Sequence, residues 1–527
     1  MLWNSSFGLR IVFSIKDTKM NIDIKGIKII GSIVLLIVTI SLYFRVFYKV
    51  FYIETEVSTE INSAVDSAIQ MDMSYRQLAL LDESFMEEDT LHSPSENQNL
   101  YNFEVLKPFF EKLTALETFN DRKLNIVHIG DSHIQADAMT NLIRQRFQQQ
   151  FGNAGLGFVF PYSLMRTNGG RNVRFSSNIS WDNKKITEIK KNGDVGLSGY
   201  SFTTQKNNFL IELELKNKEY SFNTLKIITP SNQQMFELAT NKGEVSLKPT
   251  QPKTISHKVK KGETLYAISR KYKTTVAKIQ STNKLKNNKI KVGQILKIPT
   301  SQMESKPVDL SNFNILANTS PQLFSYYMYE NLDVSDKIYL TPNPKSNNFT
   351  LNGIILENDQ CGVIYHNIGV NGAHISDYNK SQLFFEQLKA LEPDLIVISL
   401  GTNESFGKLS ASEFYAQTER FMNLIRTNYG QTPMILTSPP PSLLKKQNPN
   451  PLLIEYTDVL INNSVSRNYA VFDLYKAIGG QNSMERLINL NLIAKDRIHY
   501  TKNGYEEQGA LFFQSLMSNY EKSKIAN

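Results

Sequence analysis

The sequence predicts an α/β fold: a doubly wound parallel sheet, an inserted β-sandwich-like domain that itself carries a small βααβ unit, and an N-terminal transmembrane helix. Three observations carry that prediction. Strand-like and helix-like runs alternate through 384–474, and such alternation builds a parallel sheet whose crossovers are helices. A β-branched run at 124–129 turns through Gly130-Asp131-Ser132 straight into residues of helical spacing. Between these parts, 152–356 becomes short runs of period two separated by Gly, Asn and Ser turns, the pattern of an antiparallel sandwich.

From the amino end, residues 29–44 are apolar apart from Gly31, Ser32, Thr39 and Ser41, with Lys25 and Lys28 before and Arg45 and Lys49 after. A bilayer crossing takes about 20 residues, so 27–52 spans it if Lys28, Arg45 and Lys49 extend to the interfaces. A cleaved signal peptide is the other reading, but the bulky stretch Tyr43 to Tyr48 offers no small-x-small cleavage site. Arg10, Lys16, Lys19, Lys25 and Lys28 precede the run, which keeps the amino end in the cytoplasm and exports the rest of the chain. Met20 would open a signal anchor of more usual form. Residues 53–98 are polar, acidic at Glu87-Glu88-Asp89 and poor in aromatics, and read as a tether.

The 527 residues are 41% apolar and 20% charged, enough for roughly two to four globular domains. The net charge is +8, with Lys and Arg scattered except for a cluster in 253–297, a preference for anionic surfaces in general and not for nucleic acid. The single cysteine, Cys361, excludes an internal disulfide and reads as a packed strand residue. No His/Cys/Asp cluster has metal-site spacing, and no phosphate loop or dinucleotide fingerprint occurs, so neither metal nor cofactor is expected.

An amphipathic segment at 106–119 packs beside the buried strand 124–129, which Gly130 stops. The next helix, 136–151, carries Ala138, Leu142, Ile143 and Phe147 on one face. Ser132 therefore stands between a strand's carboxyl end and a helix's start, where open α/β sheets put their ligands. A serine is a weak nucleophile until a base takes its proton and donors stabilise the oxyanion, so it needs partners further along. His499 has the context Asp-x-x-His in a loop ahead of a helix at 504–519. If that loop curls, Asp496 fixes the tautomer of His499, and His499 takes the proton of Ser132. His133 and His374 read as structural or rim residues, and Pro439-Pro440-Pro441 as a rigid strand exit lining the cleft.

Inside the insertion, 209–215, 225–229, 337–340 and 349–356 read as sandwich strands. Residues 254–299 are a unit of their own. A strand begins near His257, Gly262 turns it, Thr264 caps a helix with Leu265, Ile268 and Tyr272 on one face, and 290–299 closes with a strand. In the second part of the sheet, strands at 394–400, 434–437 and 470–474 alternate with helices at 384–391, 412–429 and 452–466.

Gly130-Asp131-Ser132 resembles the first block of the SGNH (GDSL) hydrolases, Asn367-Ile-Gly-Val-Asn-Gly-Ala373 the second, Gly401-Thr402-Asn403-Glu404 the third, and Asp496-Arg-Ile-His499 with Gly504-Tyr505 the last. The resemblance implies Ser132, Asp496 and His499 as catalytic triad. It implies the oxyanion hole as the N–H groups of Ser132 and Gly372 and the side chain of Asn403; Glu404 stands where the family more often has Asp. The first block, extended to Asp137, and the second, begun at His366, are similar to those of periplasmic peptidoglycan O-acetylesterases. In those enzymes a β-domain separates the first two blocks, and here Asn371 lies 239 positions after Ser132. Residues 254–300 resemble a LysM module throughout, including Gly262-Glu-Thr-Leu265, the Asn283 before Leu285 and the closing Gly293-Gln-Ile-Leu-Lys-Ile-Pro299. That implies binding of peptidoglycan or another N-acetylglucosamine-containing glycan.

The chain then divides into a cytoplasmic end (1–28), a transmembrane signal anchor (29–52), a tether (53–98), the hydrolase domain (99–155 and 357–527), the β-rich insertion (156–253 and 301–356) and the LysM module (254–300). The expected function is a membrane-anchored serine esterase that removes O-acyl groups, acetyl foremost, from cell-wall peptidoglycan, with its catalytic part in the periplasm or on the wall side. An O-acyltransferase using the same triad and an inactive glycan-binding wall protein are the alternatives; the intact set Ser132, Gly372, Asn403, Asp496 and His499 argues against the second.

Overall fold

Residues two apart on a strand share a face, and the mainly parallel six-stranded sheet uses this to serve two cores. Leu124 and Ile126 join Val397 and Ile435 in a core closed by helices Lys107–Phe119, Ala138–Phe151 and Lys502–Ile525. Val127 and Ile129 join Ile398 and Leu436 in the opposite core, which includes helices Gln382–Leu388, Ala411–Tyr429 and Leu452–Asn463. The second core runs without a break into the insertion through Phe158, Phe202, Ile227 and Phe349. This chain, a computed structural model, is described over residues 99–525 except 190–194, 242, 244, 246, 248, 249, 306–308, 319–325 and 335. The expected cytoplasmic end (1–28), anchor (29–52) and tether (53–98) lie outside the described residues.

The sheet has the order Leu100–Tyr101, Ala470–Phe472, Met434–Thr437, Leu395–Ser399, Lys123–Gly130, Gly362–Gly369. All neighbours are parallel except the short edge strand Leu100–Tyr101. Three sequence expectations shift. The helix expected over 136–151 begins only at Ala138, and a separate short helix, Ser132–Gln135, precedes it, because Asp137 takes a left-handed φ of 55° between the two. The strand 470–474 stops at Phe472, since the Asp473 side chain accepts from the Lys476 N–H and starts a helix. Cys361 is half-buried in the turn ahead of Gly362–Gly369 and not inside a strand, because Asn358 Oδ1 accepts from the Gln360 N–H (3.0 Å) and bends the chain there.

The insertion is antiparallel, as its period-two runs require, but among the described residues it forms three sheets. Their strands are Asn314–Ile315, Phe236–Thr240, Lys337–Pro342, Ile211–Leu215 and Val173–Ser177; Tyr327–Tyr329, Thr224–Ile228, Gly353–Glu357 and Gly157–Val159; and Phe349–Leu351, Tyr200–Thr204 and Asp182–Lys185. From it rises the LysM-like unit, with paired strands Thr250–Lys258 and Ile295–Ser305 flanking helices Leu265–Lys271 and Val276–Thr282. Thr264 caps the first helix by accepting from the Ala267 N–H (3.1 Å), and Thr275 caps the second by accepting from the Lys278 N–H (3.2 Å). Val259, Leu265, Ile268, Ile279, Leu296 and Ile298 form a small core separate from the other two.

Strand Gly362–Gly369 ends level with Lys123–Gly130, Gly369 opposite Gly130. A Cβ at Gly369 would run into the backbone of Gln135 and lie 2.8 Å from the Asp131 carbonyl oxygen. Gly369→Ala must therefore displace the segment that holds Ser132. It is expected to destabilise the fold by about 1–3 kcal/mol, read as a lower urea midpoint, and to cut hydrolysis of a small ester. An unchanged midpoint with full activity would show that the 131–135 backbone is free to retreat.

Candidate active site

Ser132 is the first residue of the short helix Ser132–Gln135, capped by Asp131, whose Oδ1 accepts from the His133 N–H (2.9 Å). The helix places the Ser132 hydroxyl at the sheet's carboxyl edge, and its Oγ lies 2.8 Å from His499 Nε2. His499 Nδ1 lies 2.7 Å from Asp496 Oδ2. The loop curls as this contact demands: Arg497 takes a left-handed φ of 62°, and Asp496 Oδ1 accepts from the N–H groups of Ile498 and His499, each at 3.0 Å. Burial alone would raise the Asp496 pKa, but the hydrogen bonds from the His499 side chain and these two amides hold it below the ordinary carboxylate value. An ionised carboxylate on Nδ1 leaves Nε2 as the nitrogen that accepts a proton from the serine.

Gly372 follows Asn371 with φ 78°, and a Cβ there would touch nothing within 4 Å. Glycine is thus required for its backbone angle and not for space. Among the described residues no backbone acceptor takes the N–H of Ser132 or of Gly372, which leaves both donors for an oxygen in the cleft. Asn403 differs from expectation. Its Nδ2 donates to Asp131 Oδ2 (3.1 Å) and to the Ala373 carbonyl (3.0 Å), so a developing oxyanion has to compete with Asp131 for one of its two N–H groups.

Further groups surround this set, and of these the roles of Asp131 and Glu404 were not read from the sequence. Burial, with Glu404 nearby and the His133 N–H opposing, pushes the Asp131 carboxyl up to about 7. Glu404 is buried as well and raised by burial; its Oε1 accepts from the Ile375 N–H (2.6 Å) and so braces the loop that carries Gly372. His133 lies beneath His499, ring centroids 5.3 Å apart, with Nδ1 3.0 Å from the Tyr505 hydroxyl. Burial and the adjacent His499 push it to about 3, so it adds no second charge beside an imidazolium. His374 sits at the rim, raised by Asp377, and Pro439 and Pro440 line a small cleft with Asp131 and His133.

A second set of contacts comes from the insertion. The Asn371 N–H donates to Gln135 Oε1 (2.6 Å), which also accepts from the Tyr200 hydroxyl (2.9 Å). Asn371 Nδ2 donates to Thr167 Oγ1 (3.0 Å) and Asn168 Oδ1 (2.7 Å), and Gln135 Nε2 donates to the Asn168 carbonyl (2.7 Å). The turn at 167–168 and the strand of Tyr200 therefore hold the loop that presents Gly372. Gln135, three residues after the serine, was the legible signal, since a polar side chain on a helix start that buries its face needs partners.

A parallel sheet with a Ser-His-Asp relay and two amides without a backbone acceptor at its carboxyl edge is an arrangement suited to acyl transfer through a serine. The comparisons agree. Residues 355–507 match the GDSL-like Lipase/Acylhydrolase family and residues 257–299 match the LysM domain. The first match contains Gly372, Asn403, Asp496 and His499, while Ser132 lies before the insertion and outside it. The chain therefore carries a GDSL-like acylhydrolase domain together with a LysM domain. In three dimensions it is similar to a peptidoglycan O-acetylesterase, at 17% identity and TM-score 0.50, covering 79% of this chain and 96% of that one. In sequence it is similar to the probable peptidoglycan endopeptidase LytE of Bacillus subtilis, 58% identical over 43 residues (8% of this chain, 13% of that protein). It is also similar to a probable N-acetylmuramidase of Lactococcus lactis, 45% identical over 60 residues (11% and 13%). The chain thus spans about an eighth of the length of these curated relatives.

Two outcomes are expected from the geometry. Asn403→Ala should lower kcat on an activated acetyl ester by about 10²–10³, the usual loss for one oxyanion donor, with little change in KM; a loss under about threefold would move that donor elsewhere. The Asp131 carboxyl, about 3.9 in an unfolded chain and about 7 when folded, binds its proton more tightly in the folded state. Its contribution to stability is therefore complete below about pH 4 and lost as pH rises through about 7. Asp131→Asn should consequently gain stability relative to the unsubstituted chain across that window, by at most about 4 kcal/mol. Parallel pH profiles of the two urea midpoints would contradict it.

Proposed function

We propose that this chain is a serine esterase that removes O-acyl groups, acetyl foremost, from peptidoglycan, with Ser132 as nucleophile, His499 as general base and acid, and Asp496 as its orienting carboxylate. The observation that carries the reading is the relay Ser132 Oγ to His499 Nε2 (2.8 Å) and His499 Nδ1 to Asp496 Oδ2 (2.7 Å). The LysM match and the likeness in fold to a peptidoglycan O-acetylesterase support the substrate class. Residues 29–52 would tether the enzyme to the membrane; among the described residues no helix is long and apolar enough to cross one.

The chemistry is acyl transfer in two halves. Ser132 Oγ attacks the ester carbonyl as His499 Nε2 takes its proton, and the carbonyl oxygen, now an anion, sits against the N–H groups of Ser132 and Gly372 and the Asn403 amide. Collapse of the tetrahedral centre breaks the bond to the sugar oxygen, which leaves with the proton from His499. A water then attacks the acyl-serine, His499 takes its proton, and the carboxylic acid departs as Ser132 regains its hydrogen. Asp496 stays ionised throughout and stabilises the imidazolium.

The test is acetate release from O-acetylated peptidoglycan, with transfer to an acceptor glycan assayed in parallel. Ser132→Ala should abolish release. Deleting 254–300 and joining the ends with a short Gly/Ser linker should leave turnover of a small soluble ester intact and slow release from dilute insoluble wall, the deficit closing near saturation. Acetyl transfer without net acetate release would replace the esterase by a transferase. Equal rates of both proteins on dilute wall would remove the tethering role of the module.

A further inference from the structure

Residues 254–300 hold twelve Lys and Arg and one acidic residue, Glu263, a net charge of +11; the other 480 residues of the chain sum to −3. The whole positive balance of the protein is thus concentrated in the LysM unit. All twelve cations are exposed. Glu263 is already committed, its Oε2 lying 2.8 Å from His257 Nε2 and accepting from the Lys260 N–H at 2.8 Å. Among the described residues none of the twelve forms an ion pair.

Charge of one sign repels itself and opposes the compact state, so a unit with so small a core gains nothing internally from it. Nor does recognition of N-acetylglucosamine explain it, because that sugar is neutral. The cations lie on every element: Lys258 and Lys297 on the two strands, Arg270 and Lys271 on the first helix, Lys278 on the second. Lys284, Lys286, Lys289 and Lys291 crowd the loop ahead of the last strand. A flat anionic surface would meet one side of such a unit, whereas a charged polymer mesh meets all sides. Resting on the peptidoglycan reading, we propose that the LysM unit is an electrostatic clamp for the free carboxylates of peptidoglycan stem peptides, added to any contact it makes with the glycan.

The test is retention of the full chain on insoluble peptidoglycan. Raising salt from about 50 mM to about 500 mM should weaken binding about tenfold or more, because the Debye length falls to a few ångströms. Amidating the wall carboxylates with a carbodiimide and an amine should do the same at low salt. The variant Lys284→Gln/Lys286→Gln/Lys289→Gln/Lys291→Gln should bind native wall several-fold more weakly and with a shallower salt dependence, while hydrolysing a small ester normally. Binding to chitin, a neutral polymer, should be insensitive to salt. Equal retention on native and amidated wall overturns the proposal, as does equally tight binding to vesicles of anionic phospholipid at the same salt. Acetate release measured on the same wall separates the two readings. Release with charge-blind retention removes the clamp alone, and charge-dependent retention without release removes the esterase assignment alone.

Discussion

The site depends on how closely two adjacent strand ends are allowed to approach. Gly130 and Gly369 face each other in parallel register, and the backbone of 131–135 lies directly against Gly369. Lacking side chains at that point, the sheet can fold the short helix Ser132–Gln135 back over its own edge. The Tyr378 hydroxyl then donates to the Gly130 carbonyl (2.7 Å) from the other side, and Asn367 Nδ2 donates to the Ile134 carbonyl (3.0 Å). The serine is thus held by its neighbours' backbone, which lets its own hydroxyl face only His499.

The same region carries buried acidity that a hydrolytic site does not obviously need. Asp131 and Glu404 both lie in the interior, and each is pushed upward mainly by burial. Their hydrogen bonds give the reason: Asp131 caps the helix of Ser132 and holds Asn403, while Glu404 holds the loop of Gly372 through Ile375. A glutamate reaches across to that loop with one more methylene than an aspartate, which is the physical content of the residue type at 404. The competition between Asp131 and an oxyanion for Asn403 arises from the same arrangement. As Asp131 takes up its proton, Oδ2 becomes the weaker acceptor and the Asn403 N–H is more readily given to the substrate.

Much of this was legible in the sequence, for reasons that differ by element. The strand at 434–437 was read to the residue because it is short, apolar and flanked by turn residues. Ser132, Asp496 and His499 were legible because the chemistry needs those residue types and the Asp-x-x-His spacing closes only if the loop curls, which Arg497 does with a left-handed φ. The strand Gly362–Gly369 was not named as a member of the parallel sheet although the chain was divided at 357, since a few polar residues between two apolar stretches look alike whether the chain continues one strand or begins another. The grip of Thr167, Asn168 and Tyr200 on Asn371 was out of reach as well. These residues are far from Asn371 in sequence, and polar side chains in a loop carry no period that would mark them as partners.

The nested insertions obey a rule of their own. A unit can be added to a loop without disturbing its host when its ends are already adjacent, and Thr250 pairs with Ser305. The LysM unit meets that condition, has its own core and donates no side chain to the hydrogen bonds around Ser132. The β-rich insertion does the opposite: it shares a core with one face of the sheet and holds the loop that presents Gly372. One insertion is therefore part of the catalytic machine and the other is attached to it. Surface charge accumulates on the second without entering the first: exposed lysines act over about 8–10 Å in salt, and among the described residues none of the unit's cations pairs with a group of the hydrolase sheet or of the β-rich insertion. Concentrating the positive charge of the chain on the separable unit keeps retention on a polyanion and the acid–base chemistry of His499 independent of each other.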